Sequence, residues 1–413
     1  MILHKSEVQA LRKLATEYAS LAFTQTQNEK KALWLSLNSG QMQRPMVLVD
    51  QIPWHEMDID GCLKNVVQDP YWRMVETQLR QDIYKATYFQ TDLVLPSYIL
   101  LPRPIENTGF GITVDEQIAV TDASNPVVSH AFQNQFTNFE DLEKIKTPII
   151  TLNKEKEKEI CQLASFLFDG IIDFKLVGQI MHLGIWDWIT QWMGIENCYF
   201  AIMDEPDLIH ALMTRVTEGV ISSIEQMNQL GAFDVYSNSC HCSHTFSKDL
   251  PSATCNLDSP TAKDAWAFGL AQLFTSVSPE VTAEFEVPYM QKIFPYFGAI
   301  YYGCCDRLDD RIDIILKMPK IRKLSCSPWS NRENFAEKIP KSIVMSNKPT
   351  PALLAADNLN EEEIRRDIRR TLQAAKNNNI NVELILKDIS TVRNQPQRLV
   401  TWTKIAMEEV MNY

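Results

Sequence analysis

Apolar residues recur first at helical spacing and then in short runs, and this change of period divides the chain. From Ser6 to Phe23 they recur at steps of three and four residues, which predicts an amphipathic helix. A second helix is predicted from Gln25 to Leu37, where the turn signal Asn-Ser-Gly comes next. Residues 1–40 are therefore predicted to form a helical N-terminal extension.

Beyond residue 40, short apolar runs alternate with helical stretches. The runs predicted to be strands are Met46–Asp50, Asp92–Pro96, Ile172–Gly178, Phe233–Ser239, Ala299–Cys304, Ile321–Ser327, Ile343–Ser346 and Val382–Asp388. The stretches predicted to be helices are Trp72–Lys85, Leu183–Met193, Asp204–Glu218, Ala262–Leu273, Asp309–Lys317, Arg332–Lys338 and Glu361–Ala375. This alternation predicts an α/β fold, a (β/α)8 TIM barrel over residues 41–413. A doubly wound open sheet is the alternative, although no GxGxxG or GxxxxGK[ST] motif follows any run.

One stretch departs from the alternation. Residues 102–136 are rich in Asn, Gly and Val and contain short alternating patches. Long irregular segments in compact domains often serve as lids. We therefore expect a β-like excursion after the second strand, inserted as a cap over the barrel mouth.

Charge and composition narrow the function classes. The 413 residues are 45% apolar and 22% charged, which is ordinary globular usage. The net charge of −12 disfavours a broad surface for nucleic acid or anionic membrane. The N-terminus lacks a secretory pattern, and the longest uncharged apolar run, Ala265–Pro279, is too short to span a bilayer. A cytoplasmic protein with nine reduced cysteines is expected.

Candidate chemistry is expected at the C-terminal ends of the strands, where the βα loops of a barrel converge. After the first predicted strand, Trp54, His55 and Glu56 offer an apolar wall and a proton donor or acceptor. Tyr98 comes after the second strand and Trp186 after the third, and both are candidates for substrate contact. The alternative is that the aromatic residues pack and the polar ones are solvated.

Two cysteine-containing segments also come after predicted strands. The segment Cys240–His244 places four metal-binding side chains within five residues but lacks the usual two-residue spacer, so a polar loop is the alternative. In the segment Tyr301–Asp306, Cys304 is a candidate thiolate ligand or nucleophile and Asp306 a candidate acid. The alternative there is that Cys304 is simply a small buried residue.

The last three strands end in charged or polar residues. Lys348, Lys387 and Asp388 could bring charges near the barrel axis, where a lysine can orient an anion. The alternative is a simple salt bridge between a lysine and Asp388. Trp329 and Asn347 lie at neighbouring strand ends and are expected to line the substrate site.

Five segments together resemble the uroporphyrinogen decarboxylase superfamily, which includes corrinoid-dependent methyltransferases. They are Arg44–Asp50, Met203–Pro206, Ser278–Ile293, Tyr302–Cys305 and Ser346–Pro349. The resemblance extends over residues 40–410 and is strongest to an uncharacterised, decarboxylase-like branch found in anaerobes. It implies a TIM barrel and a homodimer.

The chain departs from both family patterns. The decarboxylases proper have an arginine-containing loop after the first strand, whereas Gln51–Glu56 contains no arginine, so porphyrinogen decarboxylation is not expected. The thiol methyltransferases of the superfamily bind zinc through His-x-Cys and a later Cys. Here Tyr302 stands at the position of the His, Cys304 keeps the Cys, and Asp388 lies near the position of the last ligand. The resemblance thus implies that a zinc site could be rebuilt from Cys304, Asp388 and either His241 or Glu56.

The resemblance favours a corrinoid-linked methyltransferase that demethylates a small methylated substrate. The corrinoid would arrive on a separate partner protein, because the chain lacks a D-x-H-x-x-G segment. Glu56, His55 or Asp306 would donate a proton to the leaving group, and Tyr302 would help to exclude water.

Two other functions remain open at this point. One is a decarboxylase or lyase of a small carboxylic acid, with Lys348 or Lys387 holding the carboxylate. The other is a non-catalytic barrel that binds a small molecule.

Overall fold

A computed structural model describes residues 3–120 and 128–413. Its strands are β1 (Met46–Val49), β2 (Tyr98–Pro102), β3 (Ile105–Asn107), β4 (Glu116–Ala119), β5 (Ser129–Phe132), β6 (Ile150–Leu152), β7 (Asp173–Val177), β8 (His182–Leu183), β9 (Ser239–Cys240), β10 (Ser243–His244), β11 (Trp266–Gly269), β12 (Ala299–Tyr302), β13 (Ile321–Cys326), β14 (Val344–Asn347) and β15 (Val382–Leu386). Its α-helices are α1 (Lys5–Ala22), α2 (Gln25–Asn38), α3 (Pro70–Tyr88), α4 (Lys154–Phe168), α5 (Ile185–Met193), α6 (Ile195–Asp204), α7 (Pro206–Leu230), α8 (Pro279–Phe285), α9 (Val287–Ile293), α10 (Ile312–Ile315), α11 (Arg332–Lys338), α12 (Ala352–Ala355), α13 (Glu361–Asn378) and α14 (Gln397–Met411).

Seven parallel strands form the main sheet, in the order β1-β15-β14-β13-β12-β11-β8. Helices lie between most of these strands along the chain, so the predicted α/β fold is confirmed. Beside this sheet, β2 pairs in parallel with β7, and Gln179 bridges Phe233. The amide of Asp92 donates to the carbonyl of Val47 in β1 at 2.8 Å.

Alternate residues of each strand face opposite sides of the main sheet, as the pleat requires. On β15, Leu384 packs in an apolar cluster with residues of α13 and α14. The next residue, Ile385, packs on the other side with Leu48 of β1, Tyr301 of β12 and Trp34 of α2. We call the side with Ile385 the inner face and the side covered by the helices between the strands the outer face.

Three predicted elements differ from the structure. The stretch Ala262–Leu273, predicted to be a helix, contains strand β11, because a fully buried strand is apolar on both faces and lacks the alternation that marks a strand. The run Asp92–Pro96 forms no strand, and pairing begins at Tyr98 instead. The run Phe233–Ser239 contributes one isolated bridge and the start of β9.

The region between β2 and α4 contains two short antiparallel pairs. Strand β3 pairs with β6, and β4 pairs with β5. A β-like excursion is therefore present after β2, and its residues 121–127 lie outside the described part of the chain. Its role as a cap stays a prediction.

The two N-terminal helices pack directly on the rest of the fold. Leu11 and Tyr18 of α1 belong to the same apolar cluster as Trp72 of α3. The indole of Trp34 in α2 donates to the carbonyl of Asp92 at 2.8 Å, and Asn38 donates to the carbonyl of His244. Across the described residues, no helix is both long and apolar enough to cross a bilayer.

Candidate functional site

The chain turns sharply after β12 and presents two adjacent cysteines. Gly303 has a φ of 87°, which glycine adopts without the strain that a side chain would bring. A Cβ atom at this position would also lie 2.6 Å from a methyl carbon of Leu308. After this turn, the Sγ atoms of Cys304 and Cys305 lie 3.7 Å apart.

The end of β15 supplies a lysine and an aspartate to the same cluster. The Lys387 ammonium donates to Cys304 Sγ at 2.8 Å and lies 2.8 Å from Asp388 Oδ2. The Cys305 thiol donates to the same Asp388 oxygen at 3.0 Å. The neighbouring Cys305, together with His241 and Lys387, lowers the pKa of Cys304 to about 3 against the opposing effect of burial. These contacts favour the thiolate form of Cys304.

His241 also lies beside the sulfur of Cys304. Its Nε2 lies 3.7 Å from Cys304 Sγ, and its ring stacks on Phe268 of β11 with centroids 4.0 Å apart. Burial would lower the pKa of His241, but Cys242 and Cys304 raise it to about 9. The imidazole is therefore held in place by one aromatic ring and two sulfur atoms.

The donor set fits zinc. Ligand atoms of Cys304, Cys305 and Asp388 lie within 4.8 Å of one another, and thiolate and carboxylate are zinc ligands. The imidazole of His241 lies outside this group of three, although its Nε2 is 3.7 Å from Cys304 Sγ. Tetrahedral zinc with Zn–S near 2.3 Å and Zn–N near 2.0 Å separates two sulfurs by about 3.8 Å and a sulfur from a nitrogen by about 3.5 Å. The observed separations within this cluster are 3.7 Å for both pairs. A zinc ion here would displace the Lys387 ammonium from Cys304.

A second lysine and cysteine meet deeper on the inner face. The Lys348 ammonium donates to Ser346 Oγ at 2.8 Å, to Cys242 Sγ at 3.4 Å and to the Tyr301 hydroxyl. Burial opposes ionisation of Cys242, but Lys348 and His241 lower the pKa of its thiol below the usual range. Lys348 is only 2% exposed, so its charge is compensated by these contacts alone.

Below this group lies a fully buried ion pair. Lys323 donates to Glu383 Oε2 at 2.6 Å, and both side chains have no exposure. Glu383 also accepts from Ser346 at 2.6 Å and from Ser243 at 3.0 Å. Ser346 therefore connects the buried ion pair to Lys348 and so to Cys242.

A cavity of about 430 Å³ lies beside His241 and Cys242. This volume is within the range of small-molecule sites in proteins. Its polar walls include Asp50, at the end of β1, and the ion pair between Asp82 and Lys85. The remaining walls are largely aliphatic and include Leu48, Val49, Val75, Leu93, Val94, Leu95, Leu100 and Val177.

The fold is similar to that of a methyltransferase from Methanosarcina mazei. The two structures superpose with a TM-score of 0.50 over 93% of this chain and 98% of the other, at 12% sequence identity. No family model matches the chain, and no curated protein matches it. At this level of identity the likeness concerns the overall fold.

The structure brings several sequence-predicted residues together. His241, Lys387 and Asp388 all lie around Cys304. The fully buried Asp306 accepts from the Cys304 amide at 2.6 Å, and burial raises the pKa of its carboxyl. Asp306 therefore fixes the backbone that carries the thiolate. The zinc site itself stays a prediction.

Glu56 makes contacts typical of a loop anchor. Its carboxylate accepts from the Thr391 hydroxyl at 2.6 Å and from the amides of Val392 and Asn394 at 2.7 and 3.0 Å. Burial opposes ionisation, but these hydrogen bonds lower the pKa of Glu56 below its usual range. His55 lies 3.7 Å from the same carboxylate. An ionised Glu56 is a poor proton donor, so these contacts do not support the predicted acid role.

Three of the predicted site residues lie on the outer face or among the helices. Tyr302 donates to the buried Glu286 at 3.1 Å, because Tyr301 and not Tyr302 has the inner-face position on β12. Trp186 is fully buried and donates to the last carbonyl of α8 at 3.1 Å. Asn347 is also fully buried and accepts from a threonine hydroxyl of α13.

Three further residues predicted to belong to the site lie apart from the cysteine cluster. Trp54 packs edge-on against Tyr84, and Tyr98 donates to the carbonyl of Tyr236 at 2.9 Å. Trp329 is 74% exposed. None of the six predicted residues in these two groups lines the cavity.

One acidic residue that the sequence did not reveal lies near the thiolate. Asp187 is in the first turn of α5, where Gln272 donates to it at 3.4 Å. Burial, together with the charges of Asp306 and Cys304, raises the pKa of Asp187 to about 7. A carboxyl that titrates near neutrality can both hold and release a proton.

Proposed function

We propose that this chain is a corrinoid-linked methyltransferase that demethylates a small methylated substrate. The observation that carries the proposal is the cluster around Cys304, in which a thiolate, a second cysteine, a histidine and an aspartate meet beside a cavity. The likeness of the fold to that of a methyltransferase supports it. The methyl group would pass to a corrinoid carried by a separate protein.

We propose further that the sheet closes as a (β/α)8 barrel of the uroporphyrinogen decarboxylase superfamily. Lys387 leaves β15 and reaches Cys304 after β12, three strands away in the sheet order. Three strand spacings amount to about 14 Å in a flat sheet, so the contact requires strong curvature. The β2–β7 pair, the Gln179 bridge and the Asp92 contact with β1 supply backbone for the remaining gap.

In this function the cluster would hold zinc through Cys304, Cys305 and Asp388, with His241, whose Nε2 lies 3.7 Å from Cys304 Sγ, as the candidate fourth ligand. Zinc bound there would supply a Lewis acid for the heteroatom of the substrate. Asp187 would hold a proton for the leaving group, since its carboxyl titrates near neutrality. Phe268 stacks on the His241 ring and would keep it in position.

The contacts of the two predicted carboxylate-binding lysines favour methyl transfer over decarboxylation. Lys387 is engaged with Cys304 and Asp388, and Lys348 with Cys242, Ser346 and the Tyr301 hydroxyl. A substrate carboxylate would have to displace groups that already compensate these charges.

Metal analysis tests the site. We expect the purified protein to contain about one zinc per chain, and Cys304→Ser to lower zinc affinity at least about 100-fold, since even outer-shell changes cost 10–100-fold. Cobalt(II) substitution should give a thiolate-to-metal absorption band that Cys304→Ser weakens. Cys161→Ser is the matched control, because Cys161 lies on α4 outside the cluster. Full zinc binding by Cys304→Ser would contradict the site.

A methyl-transfer assay tests the activity. A corrinoid protein reduced to Co(I) should acquire the methyl-cobalt absorption spectrum when the enzyme and a methyl donor are added. Cys304→Ala should slow this reaction at least about 100-fold while circular dichroism shows a folded protein. Release of carbon dioxide from a small acid without any corrinoid would favour the decarboxylase instead. Ligand binding without turnover would favour a non-catalytic barrel.

A further inference from the structure

One carboxylate that lines the cavity has no hydrogen-bond donor or paired cation among the described residues. Asp50 comes directly after β1 and lines the cavity. Within residues 3–120 and 128–413, no donor lies within hydrogen-bond distance of its side chain and no cation pairs with it. Asp50 is half-buried and faces the cavity, where its carboxylate is available to accept a charge-assisted hydrogen bond from a cationic ligand.

The other charged groups of the cavity compensate one another. Lys85 lies 2.8 Å from Asp82, and although burial would lower its pKa, Asp82 and more weakly Asp50 raise it. His244 contributes no charge, because burial and the nearby Lys323 lower its pKa to about 3.

Of the two carboxylates that line the cavity, Asp82 is paired with Lys85, and Asp50 has no paired cation within residues 3–120 and 128–413. A ligand that carries one positive charge would balance the charge of Asp50.

The walls indicate which kind of cation fits. None of the described lining residues is Phe, Tyr or Trp, and these are the rings that bind quaternary ammonium groups. A carboxylate instead accepts a charge-assisted hydrogen bond from an N–H group. The aliphatic side chains opposite, such as Leu95, Leu100 and Val177, would bury the hydrocarbon part of such a ligand.

We propose that this cavity binds a protonated N-methylated amine, with its ammonium N–H donating to Asp50 and its hydrocarbon chain against the aliphatic wall. This inference names the substrate class for the proposed function. That the methyl group of the bound amine is then transferred rests on the proposed function itself. Binding itself needs neither the metal nor the corrinoid.

Calorimetric titration with three matched probes tests the proposal. They are N,N-dimethylbutylammonium, its quaternary analogue N,N,N-trimethylbutylammonium, and the uncharged 2-methylhexan-2-ol. We expect the first to bind at least about tenfold more tightly than either of the others, which corresponds to one charge-assisted hydrogen bond. Asp50→Asn should abolish this preference. Asp313→Asn changes the net charge equally at an exposed position of α10 and should preserve it.

Several outcomes would overturn the inference. Equal binding of the three probes by the natural protein is one, and an unchanged preference in Asp50→Asn is another. The same titration on Cys304→Ser separates this inference from the proposed function. If Cys304→Ser lacks zinc but keeps its preference for the amine, the cavity ligand is supported even when no methyl transfer is found. Methyl transfer from ethers alone, with no binding of the amine, would overturn the inference about the cavity.

Discussion

The two faces of the main sheet are made by alternate residues of the same strands, yet they differ in kind. On β15, Leu384 and Leu386 face the helices, whereas Glu383 and Lys387 face inward. On β14, Met345 packs on the outer face, whereas Lys348 faces inward. The outer face is mainly an apolar interface with the helices, whereas the inner face combines apolar residues such as Ile385 with a chain of buried charges, hydroxyls and thiols.

This difference separates stability from function within each strand. Burying a lysine or glutamate costs several kcal/mol per ion, and a partner offsets that cost only when the geometry is good. The apolar outer face has no such cost and gains about 25 cal/mol per Å² buried. Stability alone would favour apolar residues on both faces, so the charged inner face indicates selection for a chemical role.

Breaking the buried ion pair should give the largest effect on stability. Glu383→Leu leaves Lys323 buried without its partner, and we expect a loss of about 3–5 kcal/mol in the free energy of unfolding. The double variant Lys323→Met/Glu383→Leu should recover most of this loss, because both charges are then absent. Urea denaturation followed by circular dichroism measures both values. A double variant as unstable as the single one would mean that the hydrogen bonds to Ser243 and Ser346 matter more than the charges.

An outer-face substitution should reduce stability and leave the site intact. Leu384→Ala removes a fully buried side chain from the cluster with α13 and α14, and we expect a loss of about 3 kcal/mol. Its zinc content and cobalt spectrum should equal those of the natural protein at temperatures where it is folded. Loss of metal binding in the folded variant would show that the two faces are not independent.

The outer face and the general architecture were predictable from the sequence. Runs such as Val382–Asp388 have the length and apolar content of buried strands, and they alternate with amphipathic helices. Strand β11 was not predictable in this way, because Trp266–Gly269 is apolar at every position and its pairing with β12 is a tertiary property.

The site was predictable only in part. Cys304, Lys387 and Asp388 are polar or reactive residues at strand ends, and that position identified them. Tyr301 was missed in favour of Tyr302, since a run of apolar residues does not reveal which of two neighbours faces inward. A charged residue in the middle of an apolar strand, such as Glu383, indicates which positions of that strand face the polar side. Because side chains alternate along a strand, the residue two positions before Lys348, Ser346, would have been identified as facing the same side.

The smallest expected effect is a pH dependence of stability that arises from Asp187, in the first turn of α5. The raised pKa of about 7 in the folded protein exceeds the value near 3.9 in the unfolded chain, so the folded state binds more protons between these values. Stability should therefore fall as pH rises from about 4 to 7.

Asp187→Asn removes this titration and should flatten the pH profile, with a gain of about 1–2 kcal/mol at pH 8 relative to pH 4, after allowance for partial exposure. Urea denaturation at several pH values measures the difference, and Asp313→Asn on the surface should not change the profile. A profile that is the same with and without Asp187 would show that its carboxyl is ionised throughout this range. It would then also be unable to hold the proton that the proposed reaction assigns to it.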